Sequence, residues 1–255
     1  MESQKKLLLL LTGKLLNMDN LIESALFLKK NYNFKIIPLY IRNMDILIPP
    51  ANLLVSALGD GIIGNNLEEN DNNRIKEIYQ KLKAANIIEP LLIETGLTQQ
   101  IVEEYMKQSD LLMLNRNQTL SDDTFSILKE SFKPILLISE NPLSFNKIMI
   151  ASDDGPKVHK SVLSFCNLFN NESSFEIIAY KSEKDNHILH NYLTEKNKSS
   201  HMELFMELPE FYKKINVSSL LIMGNLSKSY FLEKITNKKG LSIIENTKAP
   251  IFIGA

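Results

Sequence analysis

The chain is poor in arginine. Arg42, Arg74 and Arg116 are the three in 255 residues, none follows position 116, and lysine supplies the other basic side chains. Guanidinium groups read bases and phosphates bidentately, so their scarcity, with a net charge of −1, argues against a nucleic-acid partner. A single cysteine, Cys166, excludes an intramolecular disulfide and a thiolate metal cluster. Its neighbours in "SVLSFCNLF" are apolar with a helical pattern, which predicts a buried small hydrophobe. Long apolar runs are missing too, since none approaches the ~20 residues that a membrane helix needs. The opening "MESQKKLLLLLTGKLL" imitates a secretory signal, but its apolar run ends at Leu11 and Lys14 follows. A first buried strand explains it better, and a soluble, cytoplasmic protein without a membrane partner is expected.

Catalytic and metal signatures are equally sparse. No G-x-S-x-G elbow, Walker lysine loop or H-E-x-x-H occurs. Of the four histidines, His159, His187, His190 and His201, the pair in "HILH" could share a helix face, but no third ligand lies near it in sequence. No metal site is expected there. His159 follows the "DDGPK" loop by two residues; an exposed place in the first turn of a helix is expected, within reach of a ligand at that loop.

What the sequence does contain is short apolar runs: "LLLLL" at 7, "FKIIPLYI" at 34, "PLLI" at 90, "LLML" at 111 and "PILLI" at 134. They continue with "KIMIA" at 147, "FEIIAY" at 175, "MELFMEL" at 202, "LLIMG" at 220 and "PIFIG" at 250. Most lack polar alternation, which fits strands covered on both faces in a parallel sheet. Helical patterns such as "LIESALFLKKN", "NRIKEIYQKLKAAN" and "QQIVEEYMKQS" lie between them, giving an α/β chain. The order also repeats. A shift of 141 positions lays Ile36-Ile37 on Ile177-Ile178 and Leu21 on Val162, and "DLLMLN" later answers "SLLIMG". Two units are therefore expected, residues 1–142 and 143–255, joined near the Pro- and Ser-bearing "SENPLSFN". The first unit carries an extra apolar stretch, "NMDILIPPANLLVSALGDGIIG" at 43–64, read either as a segment packed on the neighbouring unit or as a flap over an apolar pocket.

"NKIMIASDDGPKVHKSV" and "SLLIMGNLSKS…NTKAPIFI" in the second unit resemble the universal stress protein family in its tandem, two-domain form. At the level of strand and helix order the resemblance spans essentially the whole chain. It implies two five-stranded parallel sheets of order 3-2-1-4-5 with helices on both faces. It further implies an intramolecular pseudo-dimer in which residues 134–138 and 250–254 pair antiparallel. A homodimer of whole chains stays open. In nucleotide-binding members an Asp ending strand 1 contacts the nucleoside, and a loop G-x2-G-x9-G-[ST] after strand 4 wraps the phosphates. Matched position by position, Asp153 takes the first role, with Ser161 as the small residue on the following helix. Gly224, Ser227, Asn237 and Lys238 then occupy the four motif positions, with Lys228 beside them. One glycine of three survives. Asp154 is expected to cap the helix that begins at Pro156. In the first unit Thr12-Gly13 replaces the Asp, Asn115 replaces the first glycine, and the loop is seven residues shorter. That unit is expected to have lost nucleotide binding.

Two functions follow. One is a non-catalytic stress-response protein that binds an adenine nucleotide, ATP with Mg, in its second unit, with slow hydrolysis at most and no residue placed to catalyse it. The alternative is a nucleotide-independent binding module for an apolar small molecule or a protein partner, served by the 43–64 stretch.

Overall fold

The computed structural model describes residues 4–11, 17–43, 62–116, 120–180, 187–225 and 239–254. The first five strands are β1 (Lys6–Leu10), β2 (Lys35–Asn43), β3 (Leu92–Gly96), β4 (Leu111–Asn115) and β5 (Ile135–Ile138). The next five are β6 (Ile148–Ala151), β7 (Ser174–Tyr180), β8 (Ser199–Phe205), β9 (Leu220–Met223) and β10 (Ile251–Ile253). Among the helices are α1 (Met18–Tyr32), α2 (Ile62–Ala84), α3 (Thr98–Met106) and α4 (Asp122–Glu130). The others described are α5 (Pro156–Leu168), α6 (His187–Glu195), α7 (Leu208–Ile215) and α8 (Lys239–Asn246).

All ten strands form one sheet, in the order β3-β2-β1-β4-β5-β10-β9-β6-β7-β8. Read from either outer edge, each set of five runs 3-2-1-4-5. Every pairing is parallel except the central one, where Leu136 lies opposite Phe252 in the antiparallel β5–β10 ladder. The expected pairing of the two last strands is thus present, and it covers two edges that would otherwise template association.

Apolar runs without alternation make sense in this setting. Leu7, Leu9 and Leu11 pack into one core layer with α1, α2, α5 and α6. Leu8 and Leu10 pack into the other layer with α3, α4, α7 and α8. A strand buried on both faces has no solvent side on which to place polar residues.

One helix begins earlier than its strongest pattern. α2 starts at Ile62 and so takes in the last residues of the apolar 43–64 stretch; residues 44–61 lie outside the described residues. Ile63, Leu67, Ile75, Ile78 and Leu82 keep a helical spacing. Five asparagines between Asn65 and Asn73 weaken the intrinsic helix preference and obscure it.

The two sets of five are also joined outside the sheet. Phe169, fully buried at the C-cap of α5, packs against Tyr32 at the end of α1, Phe34 before β2, Phe145 in the β5–β6 connection, and Phe165 and Phe252. The Tyr32 hydroxyl donates to Glu172, and burial above all, then Glu172, raises its pKa and keeps it protonated. Lys5 Nζ donates to the Leu168 carbonyl at 2.6 Å, at the C-terminal end of α5, where a cation complements the helix dipole.

Candidate functional site

In an open parallel sheet, ligands enter where the connections reverse direction, at the carboxyl ends of the strands. In the second set that place lies between β6 and β9, which pair from Ile148↔Leu220 to Ala151↔Met223. Two sequence segments meet there, the turn from β6 into α5 and the residues after β9.

The turn is built by its own backbone. Ser152 is buried and its N–H continues the ladder to Ile178 O at 2.9 Å. Its hydroxyl accepts the Asp154 N–H at 3.0 Å. Asp153 is exposed, and its carboxylate accepts the Gly155 N–H at 3.0 Å, leaving it at the mouth of the crevice. Asp154 adopts φ 52, in the left-handed region that Asp tolerates better than most residues. Its side chain is only 2% exposed and bonds His159 Nε2 at 2.6 Å.

Neither aspartate caps the helix. Gly155 occupies the N-cap of α5 and has no side chain to cap it, Asp153 reaches only the Gly155 N–H itself, and Pro156 follows at the first helical position, where a missing N–H costs nothing. Asp154 was expected to cap, but the left-handed turn sends its carboxylate to His159 instead. His159, expected to be exposed, is held half-buried by that contact. The dyad was not apparent in the sequence. An Asp and a His five apart across a helix start signal nothing until the backbone turns left-handed between them.

Gly224 directly follows β9 and lies against the first turn of α5. A Cβ there would stand 3.1 Å from the Val158 nitrogen and from Lys157 Cβ, tighter than ordinary packing. This glycine is therefore required by helix–strand approach alone, apart from any ligand. Gly254 at the end of β10 is tighter still, since a Cβ would fall 2.4 Å from Ser161 Cα. Its N–H donates to the Ser161 hydroxyl at 2.8 Å. The small residue expected on the helix is small because the end of β10 lies on it.

The structure therefore brings Asp153 and Gly224 to one crevice, on adjacent strand ends. Ser227, Lys228, Asn237 and Lys238 fall outside the described residues. Cys166 is half-buried rather than fully buried, and burial raises its thiol pKa, which keeps it protonated. His190 shares a hydrogen bond of 2.7 Å with the Ser200 hydroxyl. Among the described residues, no group of three or more His, Cys, Asp or Glu is placed to hold a metal, and no helix is long and apolar enough to cross a membrane.

The corresponding place in the first set is filled differently. Asn115 ends β4, and Arg116 after it is 4% exposed. Its N–H donates to Ile138 O at 2.6 Å. Its guanidinium reaches across the junction and donates from Nη1 to Ile244 O and from Nη2 to Thr247 O. These carbonyls lie at the C-terminal end of α8, where cations are stabilised and orphan acceptors need partners. Burial lowers the Arg116 pKa to about 10, with Glu140 and Glu245 opposing, so it stays charged at neutral pH.

No family model matches the sequence, and no curated protein does. Solved structures do. A universal stress protein from Archaeoglobus fulgidus DSM 4304 aligns over 98% of this chain and 97% of its own, with TM-score 0.66 and 15% identity. A protein of unknown function from Pseudomonas aeruginosa PAO1 aligns over 98% and 92%, with TM-score 0.59 and 11% identity. A putative universal stress protein from Pseudomonas aeruginosa UCBPP-PA14 gives the same values. At these identities the likeness is one of fold: the chain has the architecture of universal stress protein structures throughout its length.

Proposed function

We propose that this protein is a tandem universal stress protein, with units at 1–142 and 143–255, whose second unit binds an adenine nucleotide as a signal rather than as a substrate. The observation that carries the reading is the crevice at the ends of β6 and β9. Asp153 lies there with an exposed carboxylate that accepts the Gly155 N–H, beside a helix N-terminus whose N-cap glycine supplies no capping side chain. A carboxylate suits the hydroxyls of a ribose, and the N-terminus of a helix suits phosphate. In this reading Asp153 takes the nucleoside, while Gly224 and the segment after it, with Ser227, Lys228, Asn237 and Lys238, take the phosphates of ATP with its Mg.

Catalysis is not part of the proposal. His159 is engaged by a buried Asp154, an arrangement that suits holding the turn in shape. The first unit supports its twin: Arg116 stands where a phosphate loop would follow β4, and both terminal nitrogens of its guanidinium are engaged by α8 carbonyls.

An apolar ligand is the weaker reading. A shallow cleft between α3 and α4, lined by Val102, Met106, Ile127 and Phe132, has a cavity volume of only about 10 Å3. Small-molecule sites typically span roughly 300–1,000 Å3.

Asp153→Ala tests the proposal without threatening the fold, since exposed substitutions usually change stability by no more than about 0.5 kcal/mol. Equilibrium binding of a fluorescent ATP analogue should weaken by a factor of roughly 10 or more, about 1.4 kcal/mol. Unchanged affinity would remove Asp153 from the site.

A further inference from the structure

The ten-stranded sheet ends in two edges, β3 and β8, and they are built differently. β3 is five residues long, and Pro90 stands two residues before it. β8 runs for seven residues, "SSHMELF", with no lysine and no proline. Edges are commonly blunted by those residues, by short length or by a bulge, because free N–H and C=O groups invite another strand. β8 instead pairs with β7 in unbroken register, from Ser174↔Ser199 to Tyr180↔Phe205. No strand among the described residues lies on its other side.

The ladder to β7 tells which backbone groups face outward. The Ser199 N–H donates to Ser173 O at 2.7 Å, so Ser199, His201, Glu203 and Phe205 turn their backbone groups to β7. Ser200, Met202 and Leu204 turn theirs to the open edge. Leu204 is exposed, as are Met206 just past the strand and Ile188 at the start of α6. His201 and Glu203 share the other face of the strand. Lys214 of α7 engages Glu203 Oε2 at 2.6 Å, which leaves Oε1 to meet a further donor. His201 is exposed and has no hydrogen-bond partner among the described residues. Its neighbour on β7, Glu176, is engaged by Lys147 at 3.5 Å and Lys214 at 3.3 Å.

We propose that two copies of this chain join through β8, antiparallel about a two-fold axis at Met202, into one sheet continuous across both. In this register Met202 faces its own copy, and Ser200 faces Leu204 of the second copy. All three are outward residues, so each pair exchanges both N–H···O bonds. His201 lies opposite Glu203 of the second copy, and by symmetry the contact occurs twice. These fall in the non-hydrogen-bonded pairing, where facing side chains lie closest. Leu204 becomes a diagonal neighbour of the second Met202, which shields it from water. A register centred on His201 would instead set two imidazoles face to face and carry Leu204 past the strand end, opposite Lys198. The strand thus complements itself in one register, and that match selects a second copy as the partner.

The test is sedimentation equilibrium of the full chain without nucleotide, since β8 stands two strands away from β6. The contact is one strand wide, so a weak dimer is expected, with a dissociation constant on the order of 10–100 μM. Leu204→Lys, at an exposed place facing the open edge, should weaken it by roughly tenfold or more. His201→Glu sets carboxylate against carboxylate twice and should also weaken it by roughly tenfold, which keeps the test open if Leu204→Lys does not fold. His201→Arg should tighten it by roughly threefold. Ile93→Lys, on the opposite edge, should leave it unchanged. Monomer alone at about 500 μM, or a dimer that survives both Leu204→Lys and His201→Glu, would overturn the proposal. So would a dimer dissolved by Ile93→Lys, or one weakened by His201→Arg as much as by His201→Glu.

Discussion

Replacing Arg116 by alanine should destabilise the protein by about 3 kcal/mol in urea unfolding. The side chain is buried, and it donates to two carbonyls at the end of α8 that have no further helical turn to accept from. Hydrogen bonds to charged groups contribute roughly 1.5–3 kcal/mol each, and the relieved desolvation of the guanidinium offsets part of their loss. Arg116→Lys should recover less than half of the difference, because one ammonium cannot serve two carbonyls at the ends of a planar fork. The effect lives on packing between the two sets of strands, since the arginine follows β4 and its acceptors precede β10. A change below 0.5 kcal/mol on Arg116→Ala would mean that water replaces the guanidinium, and that the junction does not rely on it.

Phe169→Ala should cost more, about 3–5 kcal/mol. The ring is fully buried and touches five other aromatic rings drawn from α1, the approach to β2, the β5–β6 connection, α5 and β10. Aromatic pairs at such separations add to simple burial, and no single neighbour can collapse into the space of a phenyl group between two halves of a sheet. Phe169→Leu should recover most of the loss. Urea unfolding of both variants checks this, with a single transition expected because the cluster couples both sets of strands. Two separated transitions in the unmodified protein would show that the halves unfold independently and that the cluster is not a shared core.

The architecture was legible because its signals are redundant. The leucines at 7–11 could not be a solvent-facing strand, the alternation of runs and helical patterns fixed an α/β chain, and the two apolar ends at 134–138 and 250–254 did pair. The start of α2 was hidden by asparagines, whose local preferences oppose the tertiary packing that holds the helix. The site was less legible. Gly224 read as a remnant of a phosphate loop, yet its contact with Lys157 and Val158 gives it a packing reason that the sequence does not display. Asp153 is expected at the ligand and Asp154 at the helix cap, and only the left-handed turn reveals that Asp154 is buried against His159 instead. Arg116 was counted as one of a scarce type, while its partners lie 128 and 131 residues further along the chain, a distance at which no local pattern reaches.

The most direct test is a calorimetric titration of the full chain with ATP and magnesium. The account predicts one site per chain at micromolar strength, held by the second unit alone, with ADP competing and no appreciable turnover during the titration. Two sites per chain would contradict the reading of Arg116, because the first unit would then bind despite its committed guanidinium. No heat at concentrations where a dissociation constant of about 1 mM would register would contradict the nucleotide proposal itself.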